Sequence, residues 1–263
     1  MKDEKIIDFL EYQYINTPKY KSDEILEQAF EASSKSKAIK LAKKALEIYP
    51  DNIDAESLLA DYEENMLKKL NKYNKVIEKA TKLLEKQDMF KKENIGDFWL
   101  ILETRPYMRA RYNKILILKD LGRNTEALKE CEEVLRLCKH DNMGVRYILL
   151  NLYCLLEKFE ECQKLYKKYN DSSAHMQFSM AIMYYKKGDY TKCIQFLRKL
   201  EAQNEFVLDF LLNENGEFLD AEYSEYYSSG SEEEAVIIIH DFMNLLMSVP
   251  CFADFLQTEY RKK

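Results

Sequence analysis

Three stretches decide the fold: Leu121-Gly122-Arg123-Asn124-Thr125-Glu126-Ala127-Leu128, Leu156-Glu157-Lys158-Phe159-Glu160-Glu161-Cys162-Gln163 and Lys187-Gly188-Asp189-Tyr190-Thr191-Lys192-Cys193-Ile194. They align without strain. Each carries a turn, then a residue that is often aromatic two positions on, then a small residue three further on. The small residues fall at 127, 162 and 193, a period of 35 and then 31 residues. An earlier copy has Ala38, Ala45 seven later and Pro50 five after that. A period of this size marks repeated helical hairpins. Each hairpin is too small to bury its apolar side alone, so neighbours must stack.

Working outward, the helical period holds along most of the chain. Ile6, Ile7, Leu10 and Tyr14 form one apolar stripe; Ile25, Leu26, Ala29 and Phe30 form a second; Ala38, Leu41, Ala42, Ala45 and Leu46 form a third. The third stops at Tyr49-Pro50-Asp51, and Ser22 is the expected N-cap of the second. Only 10 of the 263 residues are Gly or Pro, which argues against an all-β sandwich, a Gly-rich nucleotide fold and a disordered linker. The longest apolar run, 235–255, is broken by His240, Asp241, Asn244 and Pro250 and reads as a core or amphipathic helix, not a membrane span. The six cysteines form no C-x-x-C pair, and Met1-Lys2-Asp3-Glu4-Lys5 lacks the apolar core of an export signal. Reduced thiols and a cytoplasmic location are expected.

These residues resemble the tetratricopeptide repeat family. Gly122 and Gly188 match its inter-helix glycine, Phe159 and Tyr190 its turn aromatic, Ala127, Cys162 and Cys193 its small residue at the helix crossing, and Pro50 its closing proline. The resemblance covers roughly residues 19–205. It is clearest in 106–203 and poorest in 66–104, where the helices around Tyr62–Leu84 are overlong and an insert follows. A narrower likeness, to the suppressor-of-tumorigenicity family of repeat proteins, is carried by Gly96-Asp97-Phe98-Trp99, by Glu103-Thr104-Arg105-Pro106-Tyr107-Met108-Arg109-Ala110-Arg111 and by Asp141-Asn142-Met143-Gly144-Val145-Arg146-Tyr147. Tyr226-Tyr227-Ser228-Ser229-Gly230-Ser231-Glu232-Glu233-Glu234-Ala235 is similar to the tail that follows such repeats in bacterial relatives. The resemblance implies an all-α, right-handed solenoid of helical hairpins, with first helices lining a concave groove. It implies no reaction. The expected layout is a repeat domain over 1–205, irregular at 66–104, and an acidic segment over 206–263 that folds back as a helical cap. In that tail 213–231 reads as an extended crossing segment, and Ser231-Glu232-Glu233-Glu234 reads as a capping box.

Charge is unevenly spread. The 61 residues from Leu200 to Tyr260 hold 14 Asp and Glu and no Lys or Arg, whereas the rest carries 40 basic and 32 acidic side chains. A basic body could hold the acidic 214–234 stretch as an internal ligand. No phosphate loop, H-E-x-x-H or G-x-S-x-G occurs, and His140, His175 and His240 are dispersed, so no catalytic residue, metal or cofactor is assigned. Cys162 and Cys193 occupy small-residue slots and read as packing, not as a redox pair. Arg105, Arg109 and Arg111 flank the first turn of a helix, and Arg146 opens the next repeat. Arg105 and Arg109 share a face; Arg111 points elsewhere. Such arginines either grip a carboxylate or phosphate or bridge to Glu103, Asp97 or Asp141. Tyr112, Asn113, Tyr147, Asn151, Gln177 and Tyr184 lie on first helices and complete the groove candidates. The expected function is a non-enzymatic scaffold that binds a protein or peptide segment. A nucleic-acid-associated repeat protein, disfavoured by the net charge of −6, and an enzyme with an arginine-lined pocket are the alternatives.

Overall fold

The computed structural model describes residues 16–212 and 227–261. Within them every regular element is helical: thirteen α-helices and no strand. The contacts divide the chain into two compact units, Met1–Met143 and Gly144–Lys263. The division falls at Gly144, and the helices after 205 pack on those just before them.

In the first unit α1 (Pro18–Phe30), α2 (Lys35–Ile48), α3 (Ile53–Asp61), α4 (Met66–Lys86), α5 (Arg105–Asp120) and α6 (Asn124–Leu137) each pack on the next, and α3 also packs on α5. The N-cap of α1 is Thr17, whose hydroxyl accepts from the Tyr20 amide at 3.2 Å, with Pro18 in the first turn. Ser22 does not cap. It lies inside α1, fully buried, because its hydroxyl has a better partner: it donates to the Ala45 carbonyl at 2.8 Å and accepts from Asn52 Nδ2 at 2.9 Å. Asn52 in turn caps α3 through the Ala55 amide at 3.0 Å. One polar chain therefore ties α1, the end of α2 and the start of α3, with each buried group satisfied.

Helix α4, at 21 residues, is as long as the sequence suggests. The insert after it is pinned to the end of α6. Gly96 and Phe98 amides both donate to the Leu137 carbonyl at 3.0 Å, and the Lys139 amide returns a bond to Gly96 at 2.8 Å. Phe98 is fully buried against Phe90, and Phe90 meets Tyr107 edge-on at 5.8 Å.

The second unit contains α7 (Val145–Leu155), α8 (Phe159–Tyr169), α9 (Ala174–Lys186), α10 (Tyr190–Gln203), α11 (Phe206–Leu212), α12 (Glu232–Met247) and α13 (Phe252–Phe255), the last running on into a π turn at Leu256–Tyr260. Consecutive helices pack together from α7 to α10, α7 also packs on α9, and α12 packs on α11 and α7. The stripe in 1–15 and most of the 213–231 stretch lie outside the described residues.

The three aligned stretches fold alike. Gly122, Glu157 and Gly188 have φ of 68°, 57° and 77°. The amide of the following residue reaches back five positions: Arg123 to Leu118 O at 2.8 Å, Lys158 to Tyr153 O at 2.8 Å, Asp189 to Tyr184 O at 3.0 Å. This is a Schellman cap repeated three times. The next helix begins two residues after the left-handed one, and its fourth residue is Ala127, Cys162 or Cys193, each fully buried. Asp88, at φ 54°, closes α4 the same way, with the Met89 amide bonded to Leu84 O at 2.9 Å.

Glu157 occupies the left-handed slot that glycine fills in the other two copies, which costs an L-residue roughly 1–2 kcal/mol. Its carboxylate meets Lys186 Nζ at 3.3 Å but is largely exposed, so that pair contributes little. Glu157→Gly should therefore stabilise the second unit by roughly 0.5–1 kcal/mol. Gly188→Ala, whose added methyl would meet nothing, should cost roughly 1–2 kcal/mol from backbone strain alone. Native-state hydrogen exchange of the α8 and α10 amides measures both; shifts of the same sign, or none, would overturn the cap account.

Candidate functional site

A cleft of about 240 Å³ opens in the first unit where α1, α3 and α5 converge over the end of α4. Its wall is laid down by local chemistry. The Tyr49-Pro50-Asp51 turn ends α2, Asn52 starts α3, and Pro106 and Arg109 come from the first turns of α5. Ala80, Leu83, Leu84 and Tyr107 make the apolar part. Four carboxylates line it, Asp23, Asp51, Asp54 and Glu103, against two cations, Lys19 and Arg109. Burial pushes the Asp23 carboxyl above its ordinary value, opposed by Lys19 and by the 2.9 Å bond from Asn52 Nδ2.

Arg109 is held by Asp54 of α3. Nε donates to Oδ1 at 3.0 Å and one terminal nitrogen to Oδ2 at 2.6 Å, a fork-to-fork pair. Arg109 is 44% exposed in this pairing. Its fork is thus already filled, and the cleft as a whole carries excess negative charge. That favours a cationic group entering it over a carboxylate or phosphate.

The other arginines also bridge, but not to the acids nearest in sequence. Arg105 Nε donates to the Trp99 carbonyl at 2.9 Å with its guanidinium 5.7 Å from the Trp99 ring. Arg111 turns inward against α6, with Nε 2.9 Å from Glu130 Oε1 and the guanidinium 5.1 Å from the Tyr107 ring. Lys114 Nζ approaches the other Glu130 oxygen at 3.2 Å. Arg111 and Glu130 are nearly buried, and their facing atoms are close without the alignment of a hydrogen bond. Asn113 Nδ2 donates to the Tyr73 hydroxyl at 2.8 Å, which donates to Asp61 at 2.6 Å, tying α5, α4 and α3. Tyr112 is half-buried on α5.

The remaining candidates belong to the second unit. Arg146 Nε lies 3.0 Å from Asp171 Oδ2, the Tyr147 hydroxyl donates to that same oxygen at 2.9 Å, and the Arg146 guanidinium stacks 4.2 Å from the Tyr147 ring. Gln177 is buried against the Tyr166 hydroxyl at 3.2–3.3 Å. Tyr184 stacks on Phe196 at 5.4 Å. Asn151 Nδ2 donates to the Asp241 carbonyl of α12 at 3.2 Å. Helix α12 also stacks Phe242 on Phe178 at 4.7 Å and sets Asp241 3.6 Å from His175. So α12 takes the face of α7 and α9 on which Asn151 was expected to be open. The 214–226 part of the proposed internal ligand lies outside the described residues. Sequence reasoning missed Asp54 and Glu130, which have no motif; their only signal is a carboxylate on a helix that the fold sets beside an arginine.

Among the described residues no group of three or more His, Cys, Asp or Glu could hold a metal, and no single helix is long and apolar enough to cross a membrane. Compared with family models and with curated proteins, the chain matches none.

The two ion pairs should respond differently to truncation. Arg109→Ala removes an exposed pair and should cost less than about 1 kcal/mol. Glu130→Ala takes the nearest carboxylate from Arg111, which keeps Glu133 at 3.4 Å, and from Lys114, and should cost more, roughly 2–3 kcal/mol. Denaturant titration followed through the single tryptophan, Trp99, reports the first unit for both.

Five of the six thiols are buried and Cys251 is exposed. Burial, reinforced by Asp189, pushes the Cys193 thiol up to about 12. Burial also raises Cys131 and Cys154, the latter helped by the Cys162 sulfur 3.6 Å away. At about pH 8 a disulfide reagent should titrate one thiol rapidly in the folded protein and all six after denaturation. A second fast thiol would contradict the packing role of the cysteines.

Proposed function

We propose that the chain is a non-enzymatic interaction scaffold of tetratricopeptide-like hairpins, and that the cleft of the first unit binds a segment of a partner protein. The cap geometry and the fully buried small residue shared by the three aligned stretches support the repeat reading. The single observation that carries the binding site is the cleft among α1, α3 and α5: it is open, mixed in polarity and lined by four carboxylates against two cations. Peptide segments enter such sites with one or two side chains anchored and the backbone held by polar groups. The charge excess selects Lys or Arg as the anchor, with Glu103, outside the Arg109–Asp54 pair, to receive it, and Asp51 nearby, itself 3.7 Å from Lys79 Nζ.

Random-peptide display against the whole chain should enrich sequences containing Lys or Arg. Asp51→Lys combined with Glu103→Lys should weaken the enriched peptides by roughly tenfold or more, since two attractive charges become repulsive ones. Enrichment of acidic peptides, or binding indifferent to the double variant, would reject the site.

A further inference from the structure

Helices α2 and α4 are unusually rich in lysine. α2 carries Lys35, Lys37, Lys40, Lys43 and Lys44 against Glu47, and α4 carries seven lysines against Glu78 and Glu85. Solvation explains most of them. It does not explain what lies between them. There α2, α3 and α4 enclose a groove of about 520 Å³ walled by Ile39, Leu46, Leu59, Ala60, Tyr62 and Val76. Lys43, Lys72 and Lys75 line its edge, with Glu56 the one carboxylate. Glu56 is committed to Lys79 at 2.7 Å, and Lys72 to Glu63 at 2.9 Å. Among the described residues no ion pair reaches Lys43 or Lys75, both exposed. No residue of this groove lines the Arg109 cleft.

We propose that this groove binds an acidic amphipathic helix of a partner protein. Its apolar side would replace water over Ile39, Leu46 and Leu59, and its carboxylates would meet Lys43 and Lys75. Ile39, Leu46, Leu59 and Tyr62 are half-buried beside the buried Ala60 and Val76, a lining that receives anchors at i, i+3, i+4 and i+7 of a helix. A bilayer is met by protruding apolar groups, and a single strand of nucleic acid needs free aromatic faces for stacking. The one ring here, Tyr62, already has Lys35 Nζ 5.9 Å from its centroid. The lysine stems extend the apolar wall while their ammonium groups stay in water, where a carboxylate on the rim reaches them without full desolvation. The inference does not rest on the cleft reading, and its test separates the two.

The probe is a fluorescein-labelled synthetic helix with Leu at i, i+3, i+4 and i+7 and Glu elsewhere, titrated with the full-length protein. A peptide of the same composition, scrambled to destroy the period, is the control. Saturable anisotropy is expected, roughly tenfold tighter than for the scrambled peptide and weakened by added salt. Lys43→Glu with Lys75→Glu, at exposed positions that leave the core intact, should reduce affinity by roughly tenfold or more, and Leu59→Gln should reduce it too. Glu103→Lys alone, in the cleft and away from the Lys79 that joins Asp51 to Glu56, should leave it unchanged. Equal binding of the scrambled peptide, no effect of the lysine reversal, loss in the cleft variant, or tighter binding of phosphatidylserine vesicles or a single-stranded oligonucleotide would each overturn the proposal.

Discussion

Two helices approach only as closely as the side chains between them permit, and this chain buries its smallest side chains completely within the helix packing. Ala42, Ala45, Ala55, Ala110, Ala127, Ala181 and the thiols of Cys154, Cys162 and Cys193 have no measurable exposure. A helix pair that close presses large neighbours such as Phe178, Leu118 and Ile115 into full contact on either side. The dispersion and hydrophobic gain of that contact is what a short helix lacks alone. A leucine at any of these positions would force the pair apart and loosen every residue that depends on the spacing. The cysteines belong to this constraint: they are packed as small apolar groups, and the thiol is incidental to the role.

Close crossing also dictates the turns. A helix that must reverse within two residues leaves its last carbonyls unpaired unless the chain passes through the left-handed region. Gly122 and Gly188 supply this at no steric cost. Glu157 makes the same turn, and Asp88 the same cap at the end of α4, as non-glycine residues, so the geometry is set by the packing and not by the residue that happens to occupy the turn. That is why the second aligned stretch folds like the others although its glycine is missing.

Local features of this kind were legible in the amino-acid order. The helical class, the small-residue slots, the long α4 and the Ser231 cap all follow from neighbours within a few residues. The capping box shows where such reasoning ends. Ser231 Oγ accepts from the Glu234 amide at 3.2 Å, as its spacing implies, but the Glu234 carboxylate passes over the Ser231 amide and takes Gly230 N at 2.7 Å and Asn204 Nδ2 at 3.0 Å. Asn204 stands 30 residues away. Ser22 was diverted from capping by Asn52 in the same manner, and Arg109 finds Asp54 across 55 residues instead of Glu103 nearby. Each misreading concerns a polar side chain that chose a partner brought by tertiary packing. A buried polar group must be satisfied by whatever the fold sets beside it, and sequence distance does not enter that choice.

The same logic governs what is left open in each unit. In the second, Ala235, Ile238, Ile239 and Phe242 of α12 are buried, Phe242 on Phe178. Tyr260 is tied to Glu201 at 2.7 Å and Arg261 to Asp209 at 2.5 Å. In that unit α12 covers the face of α7 and α9, through Phe242 on Phe178, the Asp241 carbonyl on Asn151 and the Asp241 carboxylate beside His175. In the first unit the face of α1, α3 and α5 has no such helix over it among the described residues, and its carboxylates outnumber its cations. The overall basic character of the body is therefore no guide to that cleft. Its lysines sit on α2 and α4, around an apolar groove of their own. One unit thus offers an acidic cleft and a basic groove built from different helices, and a ligand that suits one is repelled by the other. Charge, which says little about why the chain folds, is what distinguishes the surfaces once it has.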